Sequence, residues 1–202
     1  PALRSRLSRT AAGTVAWYQG RAGDAVDHFR EAGEIGARAG LPLLTALTRR
    51  GQALNLADVG QLDEARSVAA LARADGERLG DAVNRGQAVA FVGLVELAAG
   101  EDAAAEAHLR EAVTISAPAL ELFGLFLEVS GLLVLAGRRE HHARVLELDG
   151  WISATVEGLG MPLPPTHQAE RRDAVARAEA ALGQDGASSA RHRGRSLRPE
   201  DL

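Results

Sequence analysis

Few side chains in this 202-residue chain stand where they could do chemistry. His141 and His142 are adjacent, Asp149 follows seven residues later, and Arg191, Arg193, Arg195 and Arg198 flank His192 near the C-terminus. Neighbouring residues on a helix point about 100° apart, so the two histidines cannot both meet one metal ion from ideal geometry. They read as a surface histidine beside a half-buried one. His142 and Asp149 share a helix face but lie about 10.5 Å apart along it, too far for a direct acid–base dyad. The absence of cysteine excludes disulfides, thiolate zinc sites and cysteine nucleophiles. All 23 basic residues are arginine, which excludes lysine chemistry and any phosphate loop ending in Lys-Ser or Lys-Thr. No Gly-x-Ser-x-Gly, His-Glu-x-x-His or EF-hand loop occurs, and the scattered carboxylates offer no pair that the sequence singles out. Neither catalysis, nor a cofactor, nor a metal is expected.

Composition sets the frame that must position any site. Hydrophobic residues make up 46% of the chain but aromatics only 3%, so the core is built from Ala, Leu and Val. Small side chains let helix axes approach closely. A formal charge of −4 gives the body no generic attraction to nucleic acid or to an anionic membrane. The most apolar run, 120–137, is interrupted by Glu121 and Glu128 and reads as a buried helix, not a membrane span. The absence of a basic, apolar leader points to a cytoplasmic protein, and the opening Pro1 to a piece of a longer one. Residues 184–202 carry four arginines among Gly and Ser with no aromatic to stack on bases. They read as a flexible Arg-rich tail, with no direct nucleic-acid binding expected.

The regular feature is a repeat. Gly20, Gly40, Gly60, Gly80 and Gly100 fall at every twentieth position. After Gly20, Gly60 and Gly100 the same word follows: Ala25, Phe29, Ala32; Ala65, Ala69, Ala72; Ala105, Leu109, Ala112. A degraded fourth copy after Gly137 gives His142, Leu146 and Asp149. Such a period implies stacked helix pairs. The glycines sit where helix C-termini want positive φ. Pro42 and Pro118 are placed to open the third and seventh helices, and Asp81 to cap the fifth. Asp63 and Glu64 occupy the first turn of the fourth, where negative charge suits the dipole. Each helix of about 17 residues is roughly 26 Å long. The reading is all-α: four antiparallel pairs over 1–160 (about 1–40, 41–80, 81–117 and 118–160), a proline-led linker and closing helix over 161–183, then the tail.

Seven residues before each repeat glycine stand Gly13, Ala53, Gly93 and Ser130, all small, facing the alanines of the second helix. Here the chain resembles the tetratricopeptide repeat family, which places small residues at these three positions and a large one between the last two; Phe29 and Leu109 keep that feature and Ala69 does not. The resemblance covers about 130 residues and implies a right-handed superhelix whose groove is lined by the first helix of each pair. On it the groove positions include Leu7, Thr10, Thr14, Trp17, Arg50, Leu54, Gln87, Leu94 and Leu127. Trp17, Arg50, Leu54, Gln87 and Leu94 are the binding candidates, with Arg50 as anchor for an acidic group. The places where family members clamp a peptide's terminal carboxylates carry Thr10, Arg50, Ala90 and Leu127, which does not make that clamp.

Residues 158–165, Gly-Leu-Gly-Met-Pro-Leu-Pro-Pro, are followed by a polar Ala-rich stretch to about Leu182 and then by Gly194-Arg195-Ser196-Leu197 and Pro199-Glu200-Asp201. This order is similar to the closing segment of the large ATP-dependent transcription regulators of actinobacteria with LuxR-type DNA-binding domains. The resemblance implies a sensor and interaction region that binds a protein, a peptide or a small effector. It also implies attached nucleotide-binding and DNA-binding modules lying outside these residues. The alternative is a free-standing tetratricopeptide adaptor between proteins. Leu3, Leu7 and Val15 suggest an uncapped N-terminal end, which could also drive homodimerisation.

Overall fold

The repeat glycines terminate helices. In this computed structural model Gly20, Gly40, Gly60, Gly80 and Gly100 all have positive φ, between 63° and 79°. They follow α1 (Ala2–Tyr18), α2 (Ala22–Arg38), α3 (Pro42–Asp58), α4 (Leu62–Leu79) and α5 (Ala82–Ala98). Then come α6 (Asp102–Ser116), α7 (Leu122–Arg138), α8 (His142–Leu159) and α9 (Gln168–Arg195), with short 3-10 turns at Ala117–Ala119 and Pro199–Asp201. The structure describes residues 2–119, 122–159 and 165–202, excepting the side chains of 2–8 and 158–159. Every regular element among them is helical. None of these helices is long and apolar enough to cross a membrane. The side chains of Leu3 and Leu7 and residues 160–164 of the linker lie outside the described residues.

The helix starts follow local chemistry. Pro42 opens α3, where its missing N–H costs nothing. Asp81 caps α5 by accepting the Asn84 N–H at 2.9 Å. Hydrogen bonds from Asn84, side chain first, hold the Asp81 carboxyl below its usual range. Asp63 and Glu64 lie in the first turn of α4.

Side-chain size sets the packing. Phe29 of α2 sits between two glycines: a Cβ would lie 3.0 Å from its ring at Gly13 of α1 and 2.7 Å from it at Gly51 of α3. Two repeats later Leu109 of α6 fills the same role, with a Cβ 3.0 Å away at Gly93 and 2.7 Å away at Gly131. Ala25, Ala32, Ala65, Ala72, Ala105 and Ala112 are fully buried, as the repeated word requires. Each helix packs on its sequence neighbours through α6, and α7, α8 and α9 continue the series. The odd helices also pack on one another, α1 on α3, α3 on α5, α5 on α7 and α7 on α9. Charged cross-links act within and between pairs: Arg49 of α3 meets the buried Asp75 of its partner helix α4 at 2.7 Å, and Arg30 of α2 meets Glu64 of α4 in the next pair at 3.0 Å.

Three expectations are corrected. Pro118 does not open a helix; it lies in the 3-10 turn after α6, and α7 begins at Leu122. Gly137 does not turn the chain either, because it is buried inside α7, where an added Cβ would overlap the Cβ of Ala174 on α9. The left-handed position belongs to Glu140, at φ 59°. The fourth copy is therefore in register at 40 residues, and its facing positions are Val145, Asp149 and Ile152 instead of His142, Leu146 and Asp149. With two large aliphatics there, the pair α7–α8 departs from the small-residue packing of the first three.

The third correction concerns the Arg-rich tail, which is helical and docked. Gly183, at φ 67° and ψ 175°, breaks α9 where the closing helix was expected to end. Beyond it the helix packs against α8, with Ala187 and Ala190 buried. Side chains at Gly150 or Gly194 would overlap the facing backbone at Arg191 or Glu147. Arg191 pairs with Asp149 at 2.8 Å and Arg193 with Glu147 at 3.0 Å. Of the arginines read as linker composition, Arg191, Arg193 and Arg195 are partners for acids of α8, and Arg198 pairs with Glu200 and Asp201.

Glutamate in the left-handed region costs about 1 kcal/mol that glycine does not incur. Glu140→Gly is therefore expected to raise the unfolding free energy by about that amount and so move the urea midpoint up at unchanged slope, whereas Gly137→Ala lowers it. No gain from Glu140→Gly would contradict the revised register.

Candidate ligand cavity

The chain has seven aromatic side chains, and five of them, Trp17, Tyr18, Phe29, Phe91 and Phe123, line one cavity of about 320 Å³. Four helices of the odd set and one even helix supply the walls: α1 gives Thr14, Trp17 and Tyr18, α2 gives Phe29, and α3 gives Leu47, Arg50, Gly51, Leu54 and Asn55. Gln87 and Phe91 come from α5, and Phe123 from α7. The register explains the placement. Gly51, Phe91 and Gly131 are equivalent positions 40 residues apart. Where the neighbouring repeats carry glycine against a bulky partner, the third repeat carries the phenyl ring itself, and the bulk missing at Ala69 of the preceding helix stands at Phe91.

Of the residues expected on the binding face, Thr14 and the candidates Trp17, Arg50, Leu54 and Gln87 converge on this cavity. Leu94 does not. It is 2% exposed, within the main apolar core, its Cδ2 3.2 Å from where a Cβ of Gly131 would stand. Leu54 and Leu94 are equivalent by repeat, but glycine at 131 lets α7 close over Leu94. Leu127 is likewise core. The missed wall residues are Tyr18, Phe29, Leu47, Gly51, Asn55, Phe91 and Phe123. Aromatic scarcity was the available signal, since so few rings in one chain invite the question whether they meet.

Arg50 is almost fully buried and bridges helices: its Nη1 donates to the Asn84 side-chain oxygen at 3.1 Å. Asn84 in turn donates to Asp81 at 2.8 Å. Asn55 is fully buried, its Nδ2 donates to the Gly51 carbonyl at 2.8 Å, and its Oδ1 has no hydrogen-bond partner. Burial raises the Tyr18 phenol above its usual range.

One wall also belongs to a second network. Trp17 Nε1 donates to Thr166 Oγ1 at 2.9 Å, and Thr166 donates to Asp58 of α3 at 3.4 Å. Thr166 and His167 lead into α9. His167 Nδ1 lies 3.3 Å from Glu170, which also receives Arg138 of α7 at 3.0 Å. Arg138 donates onward to the Leu97 carbonyl of α5 at 3.2 Å. The start of α9 is thereby tied to α1, α3, α5 and α7.

Among the described residues no group of three or more His, Asp or Glu could hold a metal. His141 is exposed and His142 half-buried. The chain matches no family model, no curated protein and no solved structure.

The His167 hydrogen bond first, then Arg138, against opposing burial, hold the Glu170 carboxyl down to about 2. Its contribution to stability is thus complete above its ordinary value of 4.5 and is lost as pH falls from there towards 2. Asp58 acts in the opposite sense, because burial raises its pKa and its ionisation costs stability as pH rises above 3.8. Glu170 is half-exposed, so its effect is screened to about 1 kcal/mol or less. Glu170→Gln is expected to flatten the fall in melting temperature between pH 4.5 and 2. An unchanged acid limb would contradict the assigned linkage.

Proposed function

We propose that this chain is a non-catalytic helical-repeat sensor that takes a small, largely apolar effector into the aromatic cavity and passes its state on through α9. The convergence of five scarce aromatic rings on one concave, mostly apolar space carries this reading. Ligand sites have that character, a predominantly apolar lining with a few placed polar groups. A core designed only to be filled would not keep about 320 Å³ open beside its largest side chains.

The finer architecture fits the same reading. Consecutive helix pairs with odd helices stacked on one another are what a tetratricopeptide-like superhelix would present, and the cavity lies among the odd helices. By the resemblance in residues 158–201, the array would serve as the effector-binding region of a large ATP-dependent LuxR-type regulator. Its nucleotide switch and DNA-binding module would be attached elsewhere. Trp17 supplies a route outward, because its ring lines the cavity while its N–H holds the segment leading into α9. An effector need favour one arrangement by only about 1–3 kcal/mol to act as a switch.

The test uses N-phenyl-1-naphthylamine, whose emission rises in apolar surroundings. One saturable site per chain is expected. Leu47 is 44% exposed, so Leu47→Trp adds bulk at the cavity wall without a core cavity being made. It is expected to weaken the probe roughly tenfold, as overpacking of 1–3 kcal/mol would. Absence of saturable binding, or binding indifferent to Leu47→Trp, would overturn the assignment.

A further inference from the structure

We infer that the effector is a single-chain amphiphile, a linear hydrocarbon with a neutral polar group at its end, and that the cavity is a slot shaped for that chain. The inference rests on the aromatic cavity being the effector site and names the class of molecule that fits it.

The lining gives the shape. Counted on the 40-residue period, α1 contributes from positions 14–18, α3 from 7–15, α5 from 7 and 11, and α7 from 3. The wall therefore crosses four consecutive odd helices and descends towards their N-termini, a diagonal course instead of a round hole between two of them. Packed helix axes lie about 8–10 Å apart, so a space that passes α3 and α5 between walls on α1 and α7 is at least about 16 Å long. Spread over that length, about 320 Å³ leaves a mean cross-section of roughly 20 Å² or less, the width of one hydrocarbon chain. A cavity of about 150 Å³ accepts the six carbons of benzene, so this one holds about a dozen.

The polar groups of the wall give the chemistry. Most are turned away: Thr14 Oγ1 donates to the Thr10 carbonyl, Trp17 to Thr166 and Arg50 to Asn84, and the fully buried Asn55 offers no accessible atom. The surface left to a ligand is almost wholly apolar. An extended peptide laid there would leave backbone N–H and C=O groups unpaired, a cost that a hydrocarbon does not incur. Tyr18 and Gln87 are the exceptions. Both are half-buried, and neither makes a side-chain hydrogen bond among the described residues. They stand towards opposite ends of the slot, Tyr18 on α1 with its ring 4.9 Å from that of Trp17, and Gln87 on α5. Gln87 takes the place that Leu47 and Leu127 hold in the adjoining repeats. One turn before Leu47 and Gln87, the exposed Leu43 and Val83 carry the apolar surface outward. The head group thus leaves beside Gln87, and the chain points towards Trp17 and Phe29.

Displacement of N-phenyl-1-naphthylamine from the intact chain at pH 7 by alcohols tests this. Affinity is expected to rise about fourfold per methylene from 1-hexanol and to level off near 1-dodecanol. Three twelve-carbon alcohols separate shape from size. 1-Dodecanol is expected to compete at least about tenfold better than 6-dodecanol, whose hydroxyl would be buried without a partner, and than the compact cyclododecanol. Thr14→Leu places at the α1 end the side chain that Leu54 and Leu94 carry at the same repeat position. It is expected to weaken 1-dodecanol about tenfold and to leave 1-hexanol unchanged. Acetyl-pentaalanine amide is expected not to compete. If cyclododecanol or 6-dodecanol matches 1-dodecanol, or the peptide displaces the probe, or no alcohol does while the probe still saturates, the inference fails and the cavity reading stands. If dodecanoate competes more than about tenfold better than 1-dodecanol, the head is anionic and the neutral assignment is overturned. If the probe itself does not bind, the cavity reading fails and the inference with it. Should Thr14→Leu not fold, the three twelve-carbon alcohols on the unaltered chain decide alone.

Discussion

The structure depends on how closely neighbouring helix axes can approach, and that is set by a few side-chain sizes. Phe29 between Gly13 and Gly51, and Leu109 between Gly93 and Gly131, are one large residue held by two absent Cβ atoms. A ring or isobutyl group inserted this way ties three helices together, because each knob touches both the first helix of its own pair and the first helix of the next. The stacking of odd helices follows from it. A leucine at Gly51 would drive α3 off Phe29 and disturb two pairs at once.

Where this size pattern is interrupted, space opens. The second repeat has Ala69 in the knob position and the third has Phe91 in the glycine position, so bulk has moved from an even helix to an odd one. Rings from α1, α2, α5 and α7 then meet without closing completely. The same stretch of α3 carries the buried polar residues Arg50 and Asn55 beside Leu54. Cavity and irregularity coincide: Phe91 and Asn55 depart from the repeat grammar and both line the open space. The cavity is connected to the end of the array because Trp17 serves both as wall and as donor to Thr166.

Much of the fold was legible because it is local. Glycine at every twentieth residue, Pro42 and the Asp81 cap are decisions made by a few neighbouring atoms, and the structure places them as read. The register of the fourth pair was misread since Gly137 resembles the earlier turn glycines by identity, while its real constraint, the approach of Ala174, lies 37 residues away in sequence. The docked C-terminal segment was hidden for a similar reason. Its arginines are matched by Asp149 and Glu147 of α8, a complementarity invisible to composition. Four of five binding candidates reached the cavity because repeat position fixes which helix faces inward. Leu94 failed because the burial of one repeat's inner face depends on the size of a residue in the next. Asn55 and Phe91 needed the repeats to be aligned and compared position by position.

The central claim is that occupancy of the cavity is felt at the closing helix. Amide hydrogen exchange with and without saturating N-phenyl-1-naphthylamine measures this directly. The account predicts altered protection in α1 and α3 together with 168–182 of α9, transmitted through Trp17 and Thr166. Changes confined to the cavity-lining helices, with α9 untouched, would contradict it.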